Sequence, residues 1–169
     1  MTAPTLILPE RSHSIASDLR AAVGAEKVKD DYSTLTAYAV DASMYRMTPK
    51  AVVLVESEED IAATLRYAVQ RGIPLTPRAA GTNLTGSAIG SGIILDVSRM
   101  NRILELNREE RWARVQPGIV LAELNKRLAR DGLLTGQTLP AATCVSLAGC
   151  WRTTHPVRTR YATAPSKIM

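Results

Sequence analysis

Ala51-Val-Val-Leu-Val-Glu-Ser-Glu-Glu-Asp60 begins as an apolar strand and becomes, within ten residues, the start of a helix. Ser57 and Asp60 stand at capping-box spacing, with Asp in place of the preferred Glu or Gln. The helical reading continues through Ile61, Leu65, Ala68 and Val69 to Gly72, a C-terminal stop. Ile73-Pro-Leu-Thr76 reads as a second short strand. Strand, helix and strand in so short a span make a βαβ-sized unit, for which parallel pairing is expected.

Directly after it comes Pro77-Arg-Ala-Ala-Gly-Thr-Asn-Leu-Thr-Gly-Ser-Ala-Ile-Gly-Ser-Gly92, followed by the strand Ile93-Ile-Leu-Asp-Val97. Gly81, Gly86, Gly90 and Gly92 give this loop freedom at positive φ and let a ligand approach the main chain. Successive N–H groups in such a loop converge on phosphate oxygens. A long turn that uses glycine for its path alone is the competing reading. Gly81-Thr-Asn-Leu-Thr-Gly86 has the spacing of a nucleoside-triphosphate loop, but Ser87-Ala88 replaces the required Lys and Ser/Thr. A Rossmann fingerprint fails too, because a strand follows the loop where a helix should open.

Further out, Ser14–Gly24 reads as an amphipathic helix with Ile15, Leu19 and Val23 on one face. Residues 25–50 are polar and mixed, and expected to be loop-rich. Arg102–Leu106 and Arg111–Gln116 are expected strands around the turn Asn107-Arg-Glu-Glu110, and Pro117-Gly118 punctuates. A helix from about Ile119 to Asp131 places Leu121, Leu124 and Leu128 together, with Gly132 as its stop.

The 169 residues are 46% hydrophobic and 22% charged, which supports a real core and excludes wholesale disorder. No apolar run approaches a membrane span, and Met1–Pro9 lacks the features of a signal peptide. Two cysteines make no disulfide framework, so a cytoplasmic setting is the default. The net charge of +5 comes mostly from Arg152, Arg158, Arg160 and Lys167, in a stretch after Leu134 that holds no acid. That imbalance is weak grounds for a nucleic-acid arm, and no nucleic-acid partner is expected. Protein partners are not legible.

These motifs in this order carry a family likeness. Residues 51–134 resemble the FAD-binding domain of the FAD-linked oxidases, the vanillyl-alcohol-oxidase or PCMH type, in the branch of glycolate oxidase subunits and D-lactate dehydrogenases. That family's Pro-Arg-Gly-x-Gly-Thr-x-Leu-x-Gly stands here as Pro77-Arg-Ala-Ala-Gly-Thr-Asn-Leu-Thr-Gly86, with Ala79 for the commoner glycine. Its Asp-x-Ser-x-Met-Asn matches Asp96–Asn101, and its Val-x-Pro-Gly matches Val115–Gly118. The resemblance implies an α+β fold: a partial PCMH-type FAD-binding domain, comprising a first subdomain and the start of the second. It implies FAD as cofactor, with Arg78, Ala79, Ala80, Gly81, Thr82 and Asn83 contacting the pyrophosphate mostly through main chain. It places Gly86, Pro117 and Gly118 near the flavin or its linker. It also implies a small 2-hydroxy acid as substrate of the intact relative, of the glycolate or D-lactate type. The catalytic groups would lie beyond this chain, and no catalytic residue is assigned.

The likeness breaks after Thr135. Relatives continue with Pro-Asp-Pro-Ser-Ser-Gly-Asp-x-Cys and later Gly-Met-Leu-Ala-Asn-Asn-Ala-Ser-Gly. Back-translation of this chain one frame away restores the first from Gln137 onward and the second from Gly149–Val157. Arg158–Thr163 then reads Pro-His-Thr-Leu-Arg-Tyr. The expectation is a frameshifted tail, and with it a chain inactive on its own. Three regions follow: 1–50 as a helix and loop-rich extension, 51–134 as the partial FAD-binding domain, and 135–169 as a poorly packed, out-of-frame tail. Cys144, Cys150 and His155 are too irregular in spacing for a zinc site, and no metal is expected. A non-catalytic nucleotide- or anion-binding module, or an inactive pseudogene product, are the alternatives.

Overall fold

A computed structural model describes residues 14–135 and the backbone of 157–163. Its helices are α1 (Ile15–Val23), α2 (Tyr32–Tyr38), α3 (Glu58–Arg71) and α4 (Leu121–Ala129). Its strands are β1 (Val28–Lys29), β2 (Ala51–Leu54), β3 (Leu75–Arg78), β4 (Ile93–Asp96), β5 (Ile103–Asn107), β6 (Trp112–Val115), β7 (Leu133–Thr135) and β8 (Val157–Thr163). Two four-stranded sheets result, ordered β1-β2-β4-β3 and β5-β6-β8-β7. The fold is the expected mixture of helix and strand.

In the first sheet β2 and β3 both run parallel to β4, which lies between them, while β1 is antiparallel to β2. The βαβ unit is therefore parallel but not adjacent: its two strands meet only through β4. Strand alternation then divides the sheet into two faces. Val53 and Leu95 join a buried cluster with Leu19, Val23, Ala68 and Met100, which places α1 and α3 on that face. Val52 and Ile94, equally buried, point the other way.

The ends of α3 follow from the sequence. Ser57 Oγ accepts from Asp60 N, and Asp60 Oδ2 accepts from Ser57 N, so both halves of the capping box form. Gly72 closes the helix at φ 61°. The buried stripe differs from the expected one. Asp60, Thr64 and Ala68 face inward, whereas Leu65 and Val69 are 49% and 73% exposed. An acid at the first inward position survives because Lys27 Nζ donates to both its carboxylate oxygens at 2.9 Å.

Residues 25–50, expected to be loop-rich, hold a 3-10 turn at Ala25–Lys27, β1 and α2. β3 begins two residues later than read, and places Pro77 on an edge strand, where the missing N–H costs no ladder bond.

In the second sheet all pairings are antiparallel. Leu121, Leu124 and Leu128 of α4 are buried with Ala113, Val115 and Leu133, as their spacing foretold. β8 lies between β6 and β7, so residues 157–163 of the expected poorly packed tail have strand partners on both sides. The remainder of that tail, 136–156 and 164–169, lies outside the described residues, as do Cys144, Cys150 and His155.

Candidate functional site

Parallel β3 and β4 force the connection Ala79–Gly92 to leave one end of the sheet and return to the other. Its contacts trace the route. A Cβ built on Gly81 would meet Arg78, one on Gly90 would meet Thr76, and one on Gly92 would meet the Pro74 carbonyl. Thr76 and Arg78 of β3 thus lie under the loop, on the face opposite α1 and α3, and the loop returns beside Pro74, just ahead of that strand. The first part of the loop sits at the C-terminal ends of β3 and β4, where open parallel sheets present ligand sites.

Gly81 and Gly86 adopt φ 67° and 79°, a region that costs a residue with a Cβ about 1–2 kcal/mol. Between them Asn83 Oδ1 accepts from Thr85 N at 2.8 Å, from Thr85 Oγ1 at 2.9 Å and from Ser87 N at 3.1 Å. This side chain folds the second half of the turn on itself. By contrast, the main-chain N–H groups from Ala79 to Leu84 find no acceptor among the described residues. Ala79, Ala80, Gly81 and Thr82 carry no large side chain over them. Open donors beside small side chains are what a dinucleotide pyrophosphate requires, and the residues present fit that group.

One wall of the site comes from a segment the sequence did not flag. Ala42 N donates to Gly81 O at 3.1 Å, and Asp41 Oδ2 accepts from Ala88 N at 3.4 Å. The Tyr45 ring packs where a Gly86 Cβ would stand. Burial acts to raise the Asp41 pKa, but bonds from the Ser43 hydroxyl and amide and from Ala88 N outweigh it and hold the carboxyl below its ordinary range. Val40, Met44, Tyr45, Met47 and Leu84 leave large apolar side chains exposed along the same segment and loop.

Arg78, Ala79, Ala80, Gly81, Thr82, Asn83 and Gly86 are brought together, as read from the motif. Arg78 is turned inward: Nη1 donates to Tyr38 O at 3.2 Å and to Val40 O at 2.8 Å. Tyr38 in turn donates its hydroxyl to the buried carboxylate of Asp96, and burial together with that bond pushes the phenol well above its ordinary pKa. It stays a neutral donor across the working range. Pro117 and Gly118 are buried in a turn against the end of β4; a Cβ on Gly118 would stand 2.2 Å from Val97 O. Their tie to the loop is indirect, since Val97 N donates to Arg78 O at 2.9 Å. Tyr38, Asp41, Tyr45 and Asp96 are the site residues that sequence reasoning missed. Asp96 was visible within a matched motif, while the others carry no local signal of a long-range contact.

Among the described residues no helix is long and apolar enough to cross a membrane, and no three His, Cys, Asp or Glu side chains gather as metal ligands.

Known proteins share this architecture. The D-2-hydroxyglutarate dehydrogenase of Pseudomonas putida is 39% identical over 130 residues, covering 73% of this chain and 13% of that one. Glycolate oxidase subunit GlcD of Bacillus subtilis is 31% identical over 113 residues, covering 65% of this chain and 24% of that protein. The chain therefore spans a small part of the length of these curated relatives. Among solved structures, alkyldihydroxyacetonephosphate synthase superposes with a TM-score of 0.73 at 22% identity, over 86% of this chain and 30% of that one. p-Cresol methylhydroxylase gives 0.67 at 22% identity, over 75% of this chain and 26% of that one. The sequence pattern of the FAD binding domain matches residues 49–158, which includes the glycine loop, the Pro117–Gly118 turn and part of the stretch after Thr135. With its glycine loop, its fold and most of its length accounted for in this way, the chain belongs to the FAD binding domain family.

Proposed function

We propose that this chain provides the FAD-binding surface of a dehydrogenase that oxidises a small 2-hydroxy acid of the glycolate, D-lactate or D-2-hydroxyglutarate class. The observation that carries the reading is the row of open N–H groups from Ala79 to Leu84 at the C-terminal ends of β3 and β4. FAD, when bound, supplies a two-electron acceptor for the hydride that leaves the hydroxyl-bearing carbon. Ala79, Ala80, Gly81, Thr82 and Asn83 hold its pyrophosphate through main-chain donors. Gly86, with the Tyr45 ring against it, lines the path from phosphate toward the flavin, and Pro117–Gly118 supports that path from below. The similarity to D-2-hydroxyglutarate dehydrogenase and GlcD supports the substrate class.

Titration of FAD against the purified chain and a Gly81→Val variant, read by flavin fluorescence, tests the assignment. Binding to the parent and its loss in the variant are expected. Equal binding by both, or binding of inorganic pyrophosphate with no preference for FAD, would sink the flavin reading in favour of a plain anion site. We also propose that residues after about Thr135 are read one frame away from the family motif, on the support of the restored Pro-Asp-Pro-Ser-Ser-Gly-Asp and Gly-Met-Leu-Ala-Asn-Asn-Ala-Ser-Gly strings. The nucleotide sequence around codon 135 decides it: an unbroken frame in independent clones would overturn it.

A further inference from the structure

Arg78 and Asp96 are register partners on neighbouring parallel strands, so their side chains leave the sheet on the same face. Tyr38, at the end of α2, stands between them. Its hydroxyl donates to Asp96 Oδ2, and its ring lies 4.9 Å from the Arg78 guanidinium carbon. Asp96 Oδ1 is held by Ser98 N at 2.7 Å, which fixes the carboxylate that orients the phenol. Both hydrogens of Arg78 Nη1 are spent on the Tyr38 and Val40 carbonyls. The other edge of the guanidinium lies beneath Gly81, where a Cβ would be 2.5 Å from Nη2 and 2.9 Å from Nε. The plane of the group is therefore filled on three sides by this chain's own atoms.

We propose that Arg78 is a positioning residue for the cofactor's pyrophosphate, acting through the main chain. It braces the Gly81 peptide from below and clamps residues 38–40 against the loop, with Tyr38 and Asp96 holding the guanidinium in plane. The inference rests on the FAD reading above and adds to it a part that α2 plays in the site. A lysine cannot reproduce the arrangement. Its single ammonium reaches one cluster of acceptors and offers no plane to stack on Tyr38 or to underlie Gly81. A phosphate ligand, by contrast, tolerates lysine well, because Lys serves phosphate as a point charge.

The test measures FAD affinity by fluorescence in the full chain, in Arg78→Lys, in Tyr38→Phe and in the double variant. Amide hydrogen exchange at Ala42, whose N–H donates to Gly81 O, and at Met47, whose N–H donates to Ala39 O, is followed in each without FAD. Arg78→Lys is expected to weaken FAD by about tenfold or more, and Tyr38→Phe by about threefold, because the bond to Asp96 that it removes acts on the loop only through Arg78. The double variant should be no weaker than Arg78→Lys alone, since the two residues act as one unit. Exchange at Ala42 and Met47 should quicken in both single variants, which loss of a direct phosphate ligand would not produce. Parental affinity in Arg78→Lys overturns the proposal. So does weakened affinity with unchanged exchange at these amides and a silent Tyr38→Phe. Should Arg78→Lys fail to fold, Tyr38→Phe decides by the same two readouts. Failure of the parent to bind either FAD or inorganic pyrophosphate would instead remove the cofactor reading itself.

Discussion

The two halves of the β3–β4 crossing are equally rich in glycine and use it for opposite reasons. From Ala79 to Gly86 the chain is partly open to solvent, two glycines sit at positive φ, and the main-chain donors from Ala79 to Leu84 have no acceptor among the described residues. From Ala88 to Gly92 the chain is largely buried, and its glycines exist because β3 is too close for anything larger. One half leaves its donors unsatisfied by this chain and the other is fitted to the sheet beneath it. Glycine density alone does not separate these roles; the identity of the atom that a Cβ would strike does.

Substitutions should therefore sort by half, and the largest loss of stability belongs to the buried one. A Cβ at Gly92 would stand 1.9 Å from Pro74 O, a backbone atom that cannot swing aside. Gly92→Ala is expected to lower unfolding free energy by about 3 kcal/mol or more, at the upper end of overpacking costs, as measured by urea denaturation. A near-silent Gly92→Ala would mean that the return of the loop is looser than described. Next comes Gly90→Ala, whose obstacle is the Thr76 Oγ1 at 2.3 Å. A cost of about 1–3 kcal/mol is expected, and Thr76→Ala in the same chain should recover much of it by removing the clashing hydroxyl. Absence of rescue would break the assignment of that clash.

Gly81→Val sharpens the contrast from the open half. Its stability cost should stay below that of Gly92→Ala: about 1–2 kcal/mol for positive φ, plus the displacement of the flexible Arg78 side chain that a Cβ would strike, while FAD binding is lost outright. A calorimetric scan and a flavin titration on one sample separate the two readouts. Equal loss of folding in Gly81→Val and Gly92→Ala would erase the distinction between the halves. The smallest expected effect lies on the other face of the sheet, where Asp60 ties Lys27 to α3. Burial acts to raise the Asp60 pKa, but bonds from Glu56 N and Lys27 outweigh it, and the carboxyl titrates lower in the fold than in the unfolded chain. The unfolded state then binds the proton first on acidification, so this contribution is present above the ordinary carboxylate pKa and fades as pH falls through the folded value. Thermal melts from pH 6 down to 3 should show a shallower acid limb in Asp60→Asn than in the parent; parallel limbs would remove Asp60 from the account.

Much of this arrangement was legible before any coordinates. Ser14 and Gly24 bound α1, Ser57 and Asp60 open α3, and Leu121, Leu124 and Leu128 face inward because local signals and burial agree there. Where they disagree, the sequence misleads. Leu65 and Val69 look like core by hydrophobicity, yet the inward stripe is Asp60, Thr64 and Ala68, chosen by a partner residue far back at Lys27. α2 is a seven-residue helix of Tyr, Ser and Thr, weak in propensity, and it owes its place to Asp31 at its N-cap and to contacts of Tyr38. The glycine loop announced itself through a motif, because its pattern is local. Its wall at residues 38–45 did not, because every contact that builds it joins residues some forty positions apart.

The insertion of β4 between β2 and β3 also orders events in time. During synthesis β2, α3 and β3 are all complete before Ile93–Asp96 exists, yet β2 and β3 have no ladder with one another to form. Until then the apolar residues of β2 have a helix to rest against but no parallel neighbour, and the long separation between partners makes closure slow. The glycine crossing is the last stretch made before the strand that locks it, so the glycine loop and the sheet centre become structured in one event. A nascent chain arrested before Ile93 should remain protease-sensitive from β2 through β3, and lengthening it past Asp96, with room to clear the ribosome, should protect both strands together.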